Sequence, residues 1–180
     1  MLLQETRTRQ ALGEKGIKDF SIEIVHAEDP KTIINGKVHS LIFPEFINRV
    51  FGNYEKYYDI SFRGLITPKR KKFFDLFAKK YPDIKSIIIN SKNGRDKSKK
   101  SFDEDYFELM AVSKFVLCPD GDFKWSYRFF EAILCNAIPV IENDCPLYKG
   151  YKFYRLGDKL IYKDEYIKHN LLKISKDMMI

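Results

Sequence analysis

Glycine and proline residues divide this chain into apolar segments of two alternating kinds, and this alternation constrains the fold more than any other feature. Short β-branched or alternating runs predict strands, whereas apolar residues at helical spacing predict helices. The predicted strands cover residues 20–27, 59–64, 85–90, 114–118 and 138–142, and the predicted helices cover residues 45–57, 68–81, 103–112 and 126–136. This order predicts an α/β fold with right-handed crossovers and a mainly parallel sheet between two helical layers.

Two further predictions concern single segments. Residues 85–90, KSIIIN, form the continuous β-branched run expected of a strand that is buried on both faces. The lysine-rich residues after Tyr151 predict a last short strand and a closing helix.

Charge and cysteine content limit the possible classes of function. The formal charge of +7 and the pI of about 9.1 favour an anionic partner, such as a phosphorylated ligand, nucleic acid or an acidic membrane surface. The three cysteines, Cys118, Cys135 and Cys145, form no C-x-x-C pair and are odd in number, so neither a zinc site nor a disulfide framework is expected. No run approaches the roughly 20 apolar residues of a membrane span. We therefore expect a cytoplasmic protein in a reducing compartment.

The second glycine-containing loop is the best candidate for ligand binding. In open α/β sheets, ligands bind beyond the carboxyl ends of the strands, where loops meet helix N-termini. Residues 62–70, 118–128 and 142–146 fall there, and in the second stretch Ser126 is a predicted N-cap followed by Arg128 in the first helical turn. Backbone N–H groups, a hydroxyl and a guanidinium predict a phosphate site.

Glu131 lies one helical turn beyond that phosphate site. A carboxylate in this position is suited to accept hydrogen bonds from the two hydroxyl groups of a ribose. The alternative is a surface ion pair between Arg128 and Glu131, which would contribute only a few tenths of a kcal/mol.

Residues 113–122, SKFVLCPDGD, and residues 125–141, WSYRFFEAILCNAIPVI, resemble the exostosin-like glycosyltransferases. The shared pattern is an apolar strand, a proline–glycine turn, S-x-R-x-x-E-A and I-P-V-I. Upstream, residues 60–64, ISFRG, and the later Arg70 resemble the F-x-G loop and trailing arginine of that family. The resemblance covers residues 59–148.

The resemblance implies the Rossmann-like, nucleotide-sugar-binding C-terminal lobe of a GT-B glycosyltransferase. Such an enzyme transfers a sugar from a nucleoside diphosphate sugar, for example a UDP sugar, to a hydroxyl acceptor, normally with inversion. It needs no metal and no cofactor beyond the donor. The donor-binding residues that it implies are Arg63, Gly64, Arg70, Gly121, Ser126, Arg128, Glu131, Asn143 and Asp144.

The same resemblance implies three regions. Residues 1–57 would form a short N-terminal cap on the acceptor side, residues 58–150 the nucleotide-sugar-binding domain, and residues 151–180 the closing strand and helix. GT-B enzymes have two lobes, and 57 residues cannot form a complete one. Either a reduced cap supplies the acceptor face, or the chain is a fragment or a degenerate relative.

Titratable side chains offer two further candidate sites. His26 and Glu28 follow the first predicted strand and are candidate general bases for the acceptor hydroxyl, although a polar cluster at a strand end is the alternative. Asp120 and Asp122 form a D-x-D pattern that binds metal in another transferase fold. The glycine between them favours a simple turn, so we expect no metal site.

Basic residues support an alternative function. Between Arg63 and Lys100 there are 13 Lys and Arg against three Asp, concentrated in residues 69–72 and 92–100. The alternative is a non-enzymatic nucleic-acid-binding module, or a transferase that acts on modified DNA bases.

Overall fold

The computed structural model describes residues 3–91 and 103–180, which form one parallel sheet, one small antiparallel sheet and six α-helices. The strands are β1 (Ile22–Val25), β2 (Lys31–Ile34), β3 (Lys37–His39), β4 (Tyr58–Gly64), β5 (Ser86–Asn90), β6 (Ser113–Cys118), β7 (Ile138–Ile141) and β8 (Tyr154–Arg155). The helices are α1 (Leu3–Glu14), α2 (Phe46–Phe51), α3 (Pro68–Lys80), α4 (Glu104–Ala111), α5 (Tyr127–Leu134) and α6 (Asp164–Asp177).

The main sheet has the strand order β5-β4-β6-β7-β8, and all of its neighbouring strands are parallel. This confirms the predicted α/β class with a Rossmann-like, mainly parallel sheet. The chain adds β5 on one side of β4 and then returns to place β6 on the other side. The gap between β4 and β6 is therefore the point at which the strand order reverses, the usual position of a ligand in such sheets.

The first predicted strand does not join this sheet. β1 pairs antiparallel with β2, and β2 with β3, in a separate three-stranded sheet. Only residues 26–30 connect β1 to β2, which is too short for a parallel crossover, and in the turn between β2 and β3 both Asn35 and Gly36 have positive φ, at 49° and 76°. A two-residue Asn-Gly turn of this kind makes a tight hairpin, whereas a parallel connection needs a longer crossover.

The prediction that residues 85–90 are buried on both faces is wrong. β5 lies at the edge of the sheet, and Ile89 is 36% exposed. Phe74 and Phe77 of α3 belong to the core cluster against which Ile88 packs. A run of isoleucines shows that a strand is apolar, but the crossover through α3 decides that β5 stands at the edge.

The N-terminal region shares a core with the main sheet. Leu41, Phe43 and Ile47 belong to the same buried cluster as Phe129 and Phe130 of α5. The C-terminus completes this junction, because the N–H of Ile180 donates to the carbonyl of Phe43 at 3.1 Å. Residues before β4 are thus packed onto the parallel sheet.

Lys56 lies where two helices end. Its Nζ donates to the carbonyl of Ala111 at 2.6 Å, at the end of α4, and to that of Cys135 at 2.9 Å, at the end of α5. Burial lowers the pKa of Lys56 to about 8. A neutral amine still has two N–H groups for these two carbonyls.

Lys56→Met tests this arrangement through the pH dependence of stability. Because the pKa of Lys56 is lower in the folded state, the unfolded state binds more protons between pH 8 and about 10.4. We expect the free energy of unfolding of the wild type to rise relative to that of Lys56→Met across this window, by about 1 to 3 kcal/mol. Urea unfolding at pH 7.5 and pH 10 measures the difference, and a constant difference would contradict the expectation.

Candidate functional site

The carboxyl ends of β4 and β6 bring two of the predicted ligand loops together. β4 ends at Gly64 and β6 at Cys118, and the two strands are direct neighbours in the sheet. Arg70 bridges the loops, since its Nε donates to the carbonyl of Asp120 at 2.9 Å and its Nη1 to that of Leu65 at 3.0 Å. Arg70 therefore connects the loops after β4 and β6 at the point where the strand order reverses.

Arg128 enters this edge from the first turn of α5. The predicted N-cap is confirmed, because the Oγ of Ser126 accepts from the N–H of Arg128 at 3.1 Å. The guanidinium Nη1 donates to the carbonyl of Arg63 at 2.7 Å. Its Cζ lies 4.3 Å from the ring centroid of Phe62 and 5.2 Å from that of Tyr106. Two aromatic faces thus hold a half-buried cation above the end of β4.

The two guanidinium groups of this edge repel each other. Burial and then the positive charge of Arg128 lower the pKa of Arg70 from its usual value. The negative charges of Asp122 and Glu142 oppose this effect less strongly, and within residues 3–91 and 103–180 neither arginine forms an ion pair. An anion bound between the two groups would relieve this repulsion.

Gly64 is the residue that allows Arg128 to approach the strand. A Cβ at Gly64 would lie 2.8 Å from the Nη2 of Arg128 and 3.2 Å from the Cζ of Phe62. Any side chain there would displace the end of the Arg128 side chain before it disturbed the backbone.

Gly64→Ala should therefore lower the affinity for a bound anion about three- to tenfold while the free energy of unfolding changes by less than about 1 kcal/mol. Gly13→Ala is the matched control, since a Cβ at Gly13 meets nothing within 4 Å. Titration of both variants with pyrophosphate compares them. Equal affinities would mean that the guanidinium position does not matter.

The loop after β6 is held by polar contacts with the loop after β7. The N–H of Asp120 donates to the Glu142 carboxylate at 3.1 Å, and the Asp120 carboxylate accepts from the Nδ2 of Asn143 at 2.9 Å. A Cβ at Gly121 would lie 3.1 Å from the carbonyl oxygen of Trp125, so the turn is tight. Asp120 and Asn143 thus support each other.

Two predicted donor-site residues already have partners. The Arg63 Nη2 lies 3.6 Å from the Oδ2 of Asp105, and the exposed carboxylate of Asp144 accepts from the guanidinium of Arg155 at 2.9 Å. Their predicted roles at the donor remain predictions.

The environment of Glu131 differs from both the predicted ribose contact and the alternative of a surface ion pair with Arg128. Its side chain is 5% exposed, one carboxylate oxygen is paired with Arg7 of α1, and the other accepts from the Tyr106 hydroxyl at 2.7 Å. It is neither open to a ribose nor part of a surface pair with Arg128. The correction has a physical cause: α5 turns this face into the core, where a carboxylate must be paired.

The small sheet brings His26 and Glu28 to the same edge. The ring centroid of His26 lies 5.3 Å from that of Phe123, and the Trp125 Nε1 donates to the carbonyl of Ala27 at 2.9 Å. Burial raises the pKa of the Cys145 thiol, and the nearby carboxylate of Glu28 adds to that effect. Both candidate bases are exposed and border the loops after β6 and β7.

A comparison with protein families identifies the family of this chain. The Exostosin GT47 domain matches residues 52–147, which include β4, β6, α5 and β7. This chain belongs to the exostosin GT47 family. The match supports glycosyltransferase function, and it contains both Arg70 and Arg128. The helix α1 and the small sheet lie outside it.

Sequence reasoning missed two side chains of this GT47 site. The guanidinium of Arg128 lies over the aromatic ring of Tyr106. Arg7 pairs with Glu131, which is 124 residues away in the sequence. The spacing of buried residues on α1, at positions 4, 7, 8, 11 and 12, was a helical signal. This spacing is difficult to recognise in the sequence because three of the five residues are polar.

Other features of the GT47 chain bear on the alternatives. No helix among the described residues is long and apolar enough to cross a membrane. In the described part of the chain, no three His, Cys, Asp or Glu side chains form a metal-binding group. The exposed Lys69 lies in the first turn of α3, whereas residues 92–100, the other basic stretch, lie outside the described residues. Nucleic-acid binding therefore stays an untested prediction.

Proposed function

We propose that this GT47 protein transfers a sugar from a nucleoside diphosphate sugar to a hydroxyl acceptor, with inversion. The observation that carries the proposal is the pair of neighbouring guanidinium groups, Arg70 and Arg128, at the strand-order reversal. A diphosphate is the ligand class that this arrangement fits, because it offers several oxygens and up to three negative charges.

The two arginines have a defined role in this proposal. As the bond between the anomeric carbon and the diphosphate breaks, negative charge grows on the departing diphosphate oxygen. Arg70 and Arg128 are fixed by carbonyl groups and aromatic rings before the reaction, so they stabilise this charge without reorganising. Gly64 allows the Arg128 guanidinium to approach the strand end and Gly121 allows the tight turn after β6, and both are proposed to lie beside the diphosphate. Asn143 and Asp144 are proposed to border the sugar.

The acceptor is proposed to approach from the small sheet. Its hydroxyl oxygen forms the new bond to the anomeric carbon on the face opposite the diphosphate, which inverts the configuration. The proton of that hydroxyl passes to His26 or Glu28, the two exposed bases beside the loops after β6 and β7. A base must reach the acceptor within hydrogen-bond distance, directly or through one water.

Two properties of the proposed enzyme follow from its chemistry. The diphosphate is stabilised by guanidinium groups, so we propose that transfer needs no metal ion and continues in the presence of EDTA. The three cysteines are free thiols, which fits the proposed cytoplasmic location.

Calorimetric titration with UDP and guanosine diphosphate tests donor binding. We expect one of them to bind with a Kd in the micromolar to low millimolar range. A folded sample that binds neither at millimolar concentration would refute the proposal.

Inversion is tested separately by NMR. With an α-linked nucleotide sugar as donor, the product formed on a hydroxyl acceptor or on water should first appear as the β anomer. Appearance of the α anomer at the earliest time points would refute the inverting mechanism and leave donor binding intact.

A further inference from the structure

A buried ionic cluster connects α1 to the arginine site. Arg7 and Glu131 form an ion pair with side chains that are 3% and 5% exposed, and the second oxygen of Glu131 accepts from Tyr106. Arg7 also lies over the ring of Phe107, with its Cζ 4.7 Å from the centroid. The cluster therefore spans α1, α4 and α5.

Arg128 lies close to this cluster without joining it. It precedes Glu131 by three residues on α5, and side chains at that spacing are neighbours on a helix. Tyr106 connects them, since its hydroxyl donates to Glu131 while its ring faces the guanidinium of Arg128. Burial raises the pKa of Tyr106, and the charges of both Arg128 and Glu131 act on it.

The presence of Arg7 determines which cation pairs with the buried carboxylate of Glu131. A buried carboxylate that loses its cation is strongly unfavourable and will take another cation within reach. Arg128 is the neighbouring cation on the same helix, and its guanidinium is held at the strand end by one hydrogen bond to the carbonyl of Arg63 and by ring contacts.

We propose that Arg7 is a positioning residue that neutralises Glu131 and thereby leaves the guanidinium of Arg128 at the anion site. The identity of the ligand in this inference rests on the proposed function, whereas the side-chain contacts do not depend on it. α1 lies outside the family match, so Arg7 is a contribution of this chain's own N-terminal helix. In this role Glu131 does not touch the nucleotide at all.

Four variants separate this role from others: Arg7→Gln, Glu131→Gln, the double variant Arg7→Gln/Glu131→Gln, and Arg9→Gln as the control. Arg9 is on the same helix and pairs with Glu5 at the surface, so its replacement removes the same charge elsewhere. Pyrophosphate and UDP are the probes. We expect Arg7→Gln to bind both at least tenfold more weakly, and the other three variants to bind within threefold of the wild type.

Rescue by the double variant would show that the uncompensated carboxylate of Glu131 weakens binding, rather than the loss of the Arg7 side chain itself. Because the second change also restores stability, affinities are compared only under conditions in which urea unfolding shows every variant to be folded. If the double variant binds as weakly as Arg7→Gln, or if Arg7→Gln binds as the wild type does, the proposal is wrong. Should Arg7→Gln not fold, Arg7→Lys takes its place, because one ammonium group holds the carboxylate less completely. A smaller loss, again rescued by Glu131→Gln, is then expected, and the absence of any loss overturns the proposal.

A crystal structure of the Arg7 variant without ligand distinguishes this inference from the proposed function. We expect the guanidinium of Arg128 to leave the carbonyl of Arg63 and to lie within 3.5 Å of Glu131. That movement in the Arg7 variant, together with a wild-type protein that binds no nucleotide, would support the positioning role and refute the transferase proposal. An unmoved Arg128 would overturn the positioning role, whatever the wild type binds.

Discussion

Arg128→Ala should weaken the binding of a nucleoside diphosphate by about 1.5 to 3 kcal/mol, or roughly 10- to 150-fold in Kd. The guanidinium is the group that two aromatic rings and a backbone carbonyl hold at the strand-order reversal. Alanine removes a charge-assisted contact to the diphosphate and also removes the repulsion that Arg70 experiences. Calorimetric titration with UDP measures the change.

Lys124→Ala is the control for this prediction. Lys124 is exposed on the same loop, so the variant loses the same net charge without losing the fixed guanidinium. We expect its affinity to fall less than threefold at physiological salt, where exposed charges are screened. Equal losses in the two variants would show that only the overall charge matters, and would remove Arg128 from the site.

Arg7→Met should lower the free energy of unfolding by about 3 to 5 kcal/mol, because it leaves the buried carboxylate of Glu131 without its cation. Glu131→Gln should cost less, since an amide oxygen still accepts from Arg7. The double variant should be more stable than Arg7→Met, because it buries no unpaired charge. Urea unfolding with a double-mutant cycle measures the coupling between the two sites.

Arg9→Met is the matched control for stability. The Arg9–Glu5 pair lies at the surface of the same helix, with side chains 36% and 19% exposed, and such pairs contribute about 1 kcal/mol or less. If the losses in free energy of unfolding caused by Arg7→Met and by Glu131→Gln simply add in the double variant, that result would contradict a buried ion pair between the two side chains.

The parallel sheet was predictable because its signals are local. Strand β4 alternates apolar with polar residues, and β6 and β7 contain short apolar runs. Pro68 and Thr67 mark the start of α3 in the way that proline at the first turn and a hydroxyl cap normally do. The N-cap Ser126 and the ligand edge followed from the same kind of evidence. These features need only neighbouring residues to be read.

The parts that sequence did not predict depend on distant contacts. Helix α1 was missed because its buried face contains Gln4, Arg7 and Thr8, and the partners of Gln4 and Arg7 lie in distant parts of the chain. For the same reason, Glu131 could be placed on the correct helix face but assigned to the wrong partner. A helical spacing shows which residues share a face, and only packing shows what that face meets.

The central claim is that the diphosphate of a nucleotide sugar binds at the carboxyl ends of β4 and β6. A crystal structure of the wild-type protein with UDP, at a concentration that saturates the calorimetric titration, tests it most directly. We expect phosphate oxygens within about 3.2 Å of guanidinium nitrogens of both Arg70 and Arg128. A diphosphate bound at any other edge of the sheet, with both guanidinium groups left unoccupied, would contradict it.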